Sequence, residues 1–329
     1  MNELSKDAVS WLTIGEDAVG QRIDNYLTRH LKGVPKSHIY RILRSGEVRV
    51  NKGRVGPDAR LALGDVVRVP PVRTAARVDP GTPAPHHVRA GEAMPILFED
   101  EALIVIDKPS GLAVHGGSGI AAGLIEQLRA ARPQARFLEL VHRLDRDTSG
   151  VMLVAKKRTA LVDLHAQLRD HGFDKRYQVL VRGRWRDAMR RVKLGLHKFS
   201  TADGERRVRV DDDDGQESET IFRRQATWFD RDPPLALLEA ELKTGRTHQI
   251  RVHLTHLGFP LAGDDKYGDF AWNKELARTG LKRMFLHAQT LAFEHPVTRE
   301  RLSFVAPLPP ELARFIAKLD AAPVIVPHA

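Results

Sequence analysis

An aspartate set among cations is the first arrangement in this chain with the makings of chemistry. In the run HRLDRDTSG, His142 to Gly150, Asp145 has Arg143 and Arg146 within two residues of it. Nearby cations favour the ionised carboxylate, and an ionised carboxylate serves as a nucleophile or a base. The apolar stretches FLELV before the run and GVMLVA after it read as strands, which puts Asp145 at a strand end beside the loop Arg146 to Gly150. The same residues also describe an ordinary turn whose charges pair in solvent, because Asp-Thr-Ser-Gly is common turn chemistry. Spacing alone leaves both readings open.

A second segment, ELKTGRTHQIRVHLTHLG, places Ile250, Leu254 and Leu257 at helical spacing before Gly258, with Thr247 available as a cap. Arg246, His248 and Arg251 crowd the start of that helix, where anions are favoured. His248, His253 and His256 invite a zinc reading, but only 253 and 256 have ligand-like spacing, no glutamate lies between them and the chain has no cysteine. No metal is expected. A third segment, FDKRYQVLVRG, sets Tyr177 after Lys175 and Arg176, as either a base-stacking aromatic beside cations or an ordinary core or rim tyrosine.

These segments need a scaffold, and the chain divides into one readily. Residues 1–19 read as an N-terminal extension. From Arg22, RIDNYLTRHL carries Ile23, Tyr26, Leu27 and His30 on one helical face. After the breaker Gly33-Val-Pro35, KSHIYRILRSG gives a second helix, with Ser37 as its cap, an apolar stripe of Ile39, Ile42 and Leu43, and Arg41 and Arg44 on the wet side. Short strands come next, EVRVN and GDVVRVP, with a turn at Lys52-Gly53. This small α/β module occupies 20–72. A Pro-, Ala- and Gly-rich linker is expected over 73–93, a larger α+β body over 94–320, and a tail over 321–329. In the body, ILFEDEALIVIDKP reads as strand, turn, strand, LVDLHAQLRDHG as a helix, and the acidic stretch from Asp211 to Asp214 as a solvated loop.

Composition narrows the function. The chain has 329 residues, 42% hydrophobic and 29% charged, with no cysteine. It is therefore globular, and it lacks disulfides and thiolate chemistry. No apolar stretch approaches the ~20 residues of a membrane span and no signal pattern opens the chain, so no membrane partner and a cytoplasmic location are expected. Net charge is +10. Between Gly20 and Arg73, twelve Lys or Arg stand against four Asp or Glu, so this short module carries +8 of the total. A patch this dense suits phosphates better than mere solubility.

The module resembles the S4 RNA-binding domain in R-I-D-x-x-L, S-x-x-x-R-x-L-R-x-G-x-V-x-V-N and L-x-x-G-D-x-V, over about Gly20 to Pro70. That resemblance implies docking on structured RNA through Lys36, Ser37, Tyr40, Arg41, Arg44, Arg49, Asn51 and Lys52, mostly by phosphate contacts. The body, through V-H-R-L-D-x-x-T-S-G, K-x-Y, T-G-R-T-H-Q-I-R-V-H and F-L-H-A, closely resembles the RluA-type pseudouridine synthases, in particular those acting on bacterial large-subunit ribosomal RNA. The match runs from about Gly20 to Pro307.

The resemblance implies a fold, a reaction and a set of site residues. The body takes the pseudouridine synthase fold, a mixed, largely antiparallel sheet with flanking helices. The reaction isomerises uridine to pseudouridine at one or more positions of 23S ribosomal RNA. Asp145 is the essential aspartate, Tyr177 the aromatic stacked on the target base and Arg251 the cation paired with Asp145. Leu286 and Ile250 wall the base, and Arg143 fills the gap the flipped nucleotide leaves. Asp145 attacks C1′, attacks C6, or abstracts the 2′ proton; the phenol of Tyr177 is a candidate for removing the C5 proton. Breaking N1–C1′ and rejoining through C5 needs no redox partner, metal or nucleotide cofactor, and the chain has no phosphate-cradling or dinucleotide motif. A monomer is expected. The rivals are an RNA-binding regulator without catalysis and a carboxylate glycosidase, which needs a second acid that this motif lacks.

Overall fold

The structure is a computed structural model and describes residues 8–31, 34–72, 94–116, 122–201 and 205–321. The expected linker and all but the first residue of the expected tail lie outside them. The described chain separates into two compact units, divided between 72 and 94.

In the first unit the elements are β1 (Ser10–Thr13), α1 (Ile23–His30), α2 (Lys36–Arg44), β2 (Arg49–Val50), β3 (Gly53–Arg54) and β4 (Val66–Val69). The strands form an antiparallel sheet in the order β1-β4-β2-β3. α1 buries Ile23, Tyr26 and Leu27, and α2 buries Ile39, Ile42 and Leu43, the apolar stripes their spacing predicts. His30 is exposed, with its ring against that of Tyr26.

Three local expectations need correction. Leu12, Ile14 and Ala18 belong to this core, so the segment read as an extension adds a strand to the module. Pro35 occupies the cap of α2 and Ser37 lies inside its first turn. The β2–β3 turn falls on Asn51 and Lys52, both with positive φ, one residue before Lys52-Gly53. Asn51 tolerates that conformation because its side chain is tied down, accepting from Val66 N–H at 2.9 Å and donating to Asp65 at 2.7 Å.

The second unit is built on eleven described strands: β5 (Ile96–Glu99), β6 (Leu103–Lys108), β7 (Glu139–Leu140), β8 (Ser149–Ala155), β9 (Asp174–Arg182), β10 (Met189–Ser200), β11 (Arg206–Val210), β12 (Gln216–Trp228), β13 (Leu235–Leu242), β14 (Leu286–Glu294) and β15 (Arg301–Val305). Five helices accompany them: α3 (Leu124–Ala131), α4 (Arg158–Arg169), α5 (Gln249–His256), α6 (Phe270–Thr279) and α7 (Pro310–Ala321). The main path runs β11-β10-β12-β13-β9-β14-β8-β6-β5, with β15 on β14 and β7 on β8. Among the described residues only β14 and β8 pair in parallel. This is the mixed, largely antiparallel α+β sheet expected. Among the described residues no helix is long and apolar enough to cross a membrane.

Register decides what meets at the centre. On β9, Tyr177 lies opposite Ala240 of β13 and Ala288 of β14, while Val179 lies opposite Leu286. Paired residues point to the same face, so Tyr177, Val179, Leu286 and Ala288 share one side of the sheet. Ser149 and Gly150, which open β8, pair with His287 and Ala288. A Cβ on Gly150 would run into the backbone of Ala288, so glycine lets these strands close up beside the Asp145 loop.

Candidate active site

Asp145 lies in an extended connection between β7 and β8, past a strand much shorter than the apolar run FLELV predicts. Its surroundings are fixed through the backbone. Lys108, wholly buried at the end of β6, donates to the carbonyls of Arg146 and Pro109 at 2.9 Å and of Leu112 at 2.8 Å. Burial draws its pKa down to about 7. Three carbonyls nevertheless match the three hydrogens of an ammonium and resist that loss of charge. Ser110 donates its hydroxyl to Asp147 O at 2.8 Å, and Thr148 N–H closes a turn on Asp145 O at 3.2 Å. The loop that carries the carboxylate is therefore held at consecutive carbonyls.

The cations beside Asp145 in sequence are not its partners. Arg146 pairs with Asp147 at 3.0 Å, and Arg143 stands exposed at the rim. The partner is Arg251 of α5, whose Nη1 lies 3.2 Å from Asp145 Oδ2. Arg251 is 3% exposed, and its position is set by Asp264, itself fully buried, through a fork of two 2.7 Å bonds. The guanidinium face rests over the Tyr267 ring, 5.1 Å from its centre. Burial works against the charge of Arg251, but Asp264 and Asp145 outweigh it. Such a buried pair adds little net stability over apolar residues; what it supplies is a cation fixed in direction.

Tyr177, Ile250 and Leu286, all nearly buried, line with Asp145 and Arg143 one cleft of about 580 Å³, within the ~300–1,000 Å³ range of small-molecule pockets. Burial, helped by the charge of Asp145, pushes the Tyr177 phenol up, so it stays protonated. That works against its expected part in removing the C5 proton and leaves the ring as its contribution. Arg169, Lys175, Lys243 and Arg246 add cations to the cleft, and burial lowers the pKa of Lys175. The arrangement is a cleft in which the apolar groups of Tyr177, Ile250 and Leu286 stand beside the Asp145 carboxylate, with several cations among the other lining residues.

The expected cap of α5 differs. His248, not Thr247, takes that position, in a left-handed conformation and without a side-chain cap bond. His253 bonds Ser218 at 2.7 Å and His248 bonds Tyr267 at 2.8 Å, so the three histidines do not converge. Among the described residues no three His, Cys, Asp or Glu side chains group as metal ligands.

In the first unit, Lys36, Ser37, Tyr40, Arg41, Arg44, Arg49, Asn51 and Lys52 are all exposed. Several are already engaged. Tyr40 donates to Asp24 at 3.0 Å, Asn51 holds its turn, Arg41 pairs with Glu47 at 3.2 Å and Arg49 donates to Gly46 O at 3.2 Å. The ammonium groups of Lys36 and Lys52 have no partner among the described residues, although the Lys52 carbonyl accepts from Arg49 at 3.5 Å. Asp24, Lys108, Asp264 and Tyr267 were missed in the sequence; each resembles a solvated or turn residue there, and only burial distinguishes it.

Comparison with known proteins agrees with this geometry. The family described as RNA pseudouridylate synthase matches residues 102–256, and the S4 domain matches 21–67. A protein named ribosomal large subunit pseudouridine synthase C from Pasteurella multocida is 53% identical over 312 residues, covering 95% of this chain and 94% of the relative. The chain belongs to the RNA pseudouridylate synthase family. It is accordingly an isomerase with an S4 domain ahead of its catalytic body. Proteins of the same name from Yersinia pestis and Escherichia coli (strain K12) are 54% and 52% identical, covering 94% and 96% of this chain and 96% and 98% of their own. Among solved structures, human RNA pseudouridylate synthase domain containing 4 is 26% identical with a TM-score of 0.54, covering 69% of this chain and 93% of that one. The human domain containing 1 protein, at 24% identity and a TM-score of 0.55, covers 71% of this chain and 97% of its own and shares the fold.

Proposed function

We propose that this chain isomerises uridine to pseudouridine at one or more positions of large-subunit (23S) ribosomal RNA, with Asp145 as the reacting carboxylate. The observation that carries the reading is the Asp145 carboxylate held by buried Arg251 at the wall of the slot formed by Tyr177, Ile250 and Leu286. The relatives above, alike over nearly their whole length, are named for the ribosomal large subunit.

A stacked uridine hides its glycosidic bond, so the nucleotide is turned out into the cleft at a cost of ~ a few kcal/mol. Stacking on Tyr177 offsets part of that cost, and Arg143 at the rim occupies the space left behind. Asp145 opens the N1–C1′ bond, the freed uracil turns within the slot, C5 bonds to C1′, and the proton lost from C5 is matched by one taken up at N1. Substrate and product have the same atoms and oxidation state, so no nucleotide cofactor enters. One chain holds every group invoked, and a monomer suffices. The S4 unit supplies affinity through its exposed basic face, and the work belongs in the cytoplasm, where ribosomal RNA is made and modified.

Pseudouridine mapping on ribosomal RNA from cells with and without the gene tests this reading. Large-subunit positions that lose the modification, regain it on addition of the protein and stay unmodified with Asp145→Asn are the expected result. A full set of modifications in the deleted strain would overturn it.

A further inference from the structure

His248 faces Asp145 and has no part in the mechanism above. Its Nε2 lies 3.8 Å from Asp145 Oδ2, the oxygen that also receives Arg251. Its Nδ1 lies 2.8 Å from the Tyr267 hydroxyl oxygen, which accepts from Val208 N–H of β11 at 2.9 Å. Tyr267 is itself anchored: its backbone N–H donates to Asp264 at 3.0 Å and its carbonyl accepts from the Thr255 hydroxyl at 2.9 Å.

Hydrogen counting at the two ring nitrogens gives one answer. The phenol oxygen already accepts from Val208, so its single hydrogen is available for Nδ1. A neutral imidazole that accepts at Nδ1 carries its own hydrogen on Nε2. The other side agrees, because Nε2 faces a carboxylate: a lone pair there would meet another lone pair, whereas an N–H meets an acceptor.

We propose that His248 is a positioning residue that presents Nε2–H to Asp145 Oδ2 in a tautomer set by Tyr267, so that Arg251 and His248 together orient the carboxylate. Asp145 Oδ1, which has no partner among the described residues, is left to act on the nucleotide. At 3.8 Å the contact is longer than a hydrogen bond, and this role requires it to shorten by ~1 Å when RNA is bound. The inference rests on the reading of Asp145 as the reacting group.

The groups facing His248 are Asp145 on its loop, Arg251 on α5, and Asp264, Lys266 and Tyr267 on the segment after it. Burial, with Arg251 and Lys266, lowers the pKa of His248 against the pull of Asp145 and Asp264, which keeps the ring neutral near pH 7. As pH falls through that lowered value, Nδ1 takes a proton and can no longer accept from Tyr267.

The test combines nitrogen NMR of the full chain labelled with 15N-histidine and single-turnover rates on ribosomal RNA. His248, assigned by its loss in His248→Gln, is expected to show a proton on Nε2 and none on Nδ1 at neutral pH. Tyr267→Phe, which keeps the ring under Arg251, is expected to admit the other tautomer and to lower the rate ~tenfold with RNA affinity little changed. His248→Ala is expected to lose ~100-fold, and His248→Gln, whose amide N–H reaches the Nε2 position, to recover to within ~fivefold of wild type without the acid limb of the pH profile. A proton on Nδ1 in the wild type overturns the proposal, and so does a wild-type rate in His248→Ala. An active Asp145→Asn would instead defeat the functional reading, while the tautomer would still be read directly from the spectrum.

Discussion

Arg41 on α2 and Arg251 on α5 are the same residue type in opposite circumstances. The Arg41 side chain is 57% exposed and meets Glu47 and His38 at the surface, whereas that of Arg251 is 4% exposed and meets Asp145, Asp264 and Asp265. A cation in water is cheap to hold and easily redirected, which suits phosphates that arrive in varied geometry. A cation out of water persists only among carboxylates that fix it, which suits a group that must point one way. On the proposed reading the first unit serves affinity and the second direction, and the two kinds of arginine should fail differently.

The largest expected effect is at the residue Arg251 serves. Asp145→Asn should lower single-turnover pseudouridine formation ~10⁴-fold or more while RNA affinity, read by filter binding, stays within a few fold. Arg251→Met should come next, with a large rate loss and a stability loss of ~3–5 kcal/mol in urea unfolding, because Asp264 is left buried without its cation. An Arg251→Met protein as stable as wild type would contradict the idea that this arginine is structural as well as directional.

The same pair gives a pH dependence. Burial opposes the charge of Asp264, but Arg251 and the N–H groups of Lys266 and Tyr267 outweigh it and hold its pKa below the ordinary 3.8. With a lowered folded value, the stabilisation is complete above the unfolded pKa of ~3.9 and is lost as pH falls through the folded one. Asp264→Asn should be less stable at neutral pH and should lose less on acidification below about pH 4, as followed by thermal melting.

Smaller effects are expected on the exposed side. Replacing Lys36, Arg41 and Arg44 by Ala should weaken RNA binding and lower the salt slope by up to ~2–3, about one for each phosphate left unneutralised, without changing the rate at saturating RNA. Smallest of all, Tyr40→Phe should leave that slope unaltered and lower the melting temperature slightly, since the hydroxyl serves Asp24. A changed slope in Tyr40→Phe would move Tyr40 to the docking group.

Much of this division is written locally. The stripes of α1 and α2, the β5–β6 hairpin and α4 come from apolar period, and the basic excess of the first unit comes from its Lys and Arg content. Asp145, Tyr177, Ile250, Arg251 and Leu286 were legible because their motifs resemble those of a known family, and the structure brings them to one cleft. Local signals fail at particular positions. Arg146 turned to Asp147, Ser37 and Thr247 did not cap, and the segment before Gly20 supplied a strand.

The sequence by itself determined the two units, their contrast in charge and the candidate carboxylate, because period, composition and motif are properties of short stretches. Spacing alone did not decide which cation meets Asp145; the resemblance implied Arg251, and only tertiary structure shows what holds it there. Arg251 lies 106 residues away, and it gains its direction from Asp264, whose burial no local pattern announces. The hydrogen carried by His248 is decided the same way, through Tyr267 and a strand far off in the chain. Partners distant in sequence meet through sheet register and burial, and these are set by the whole fold.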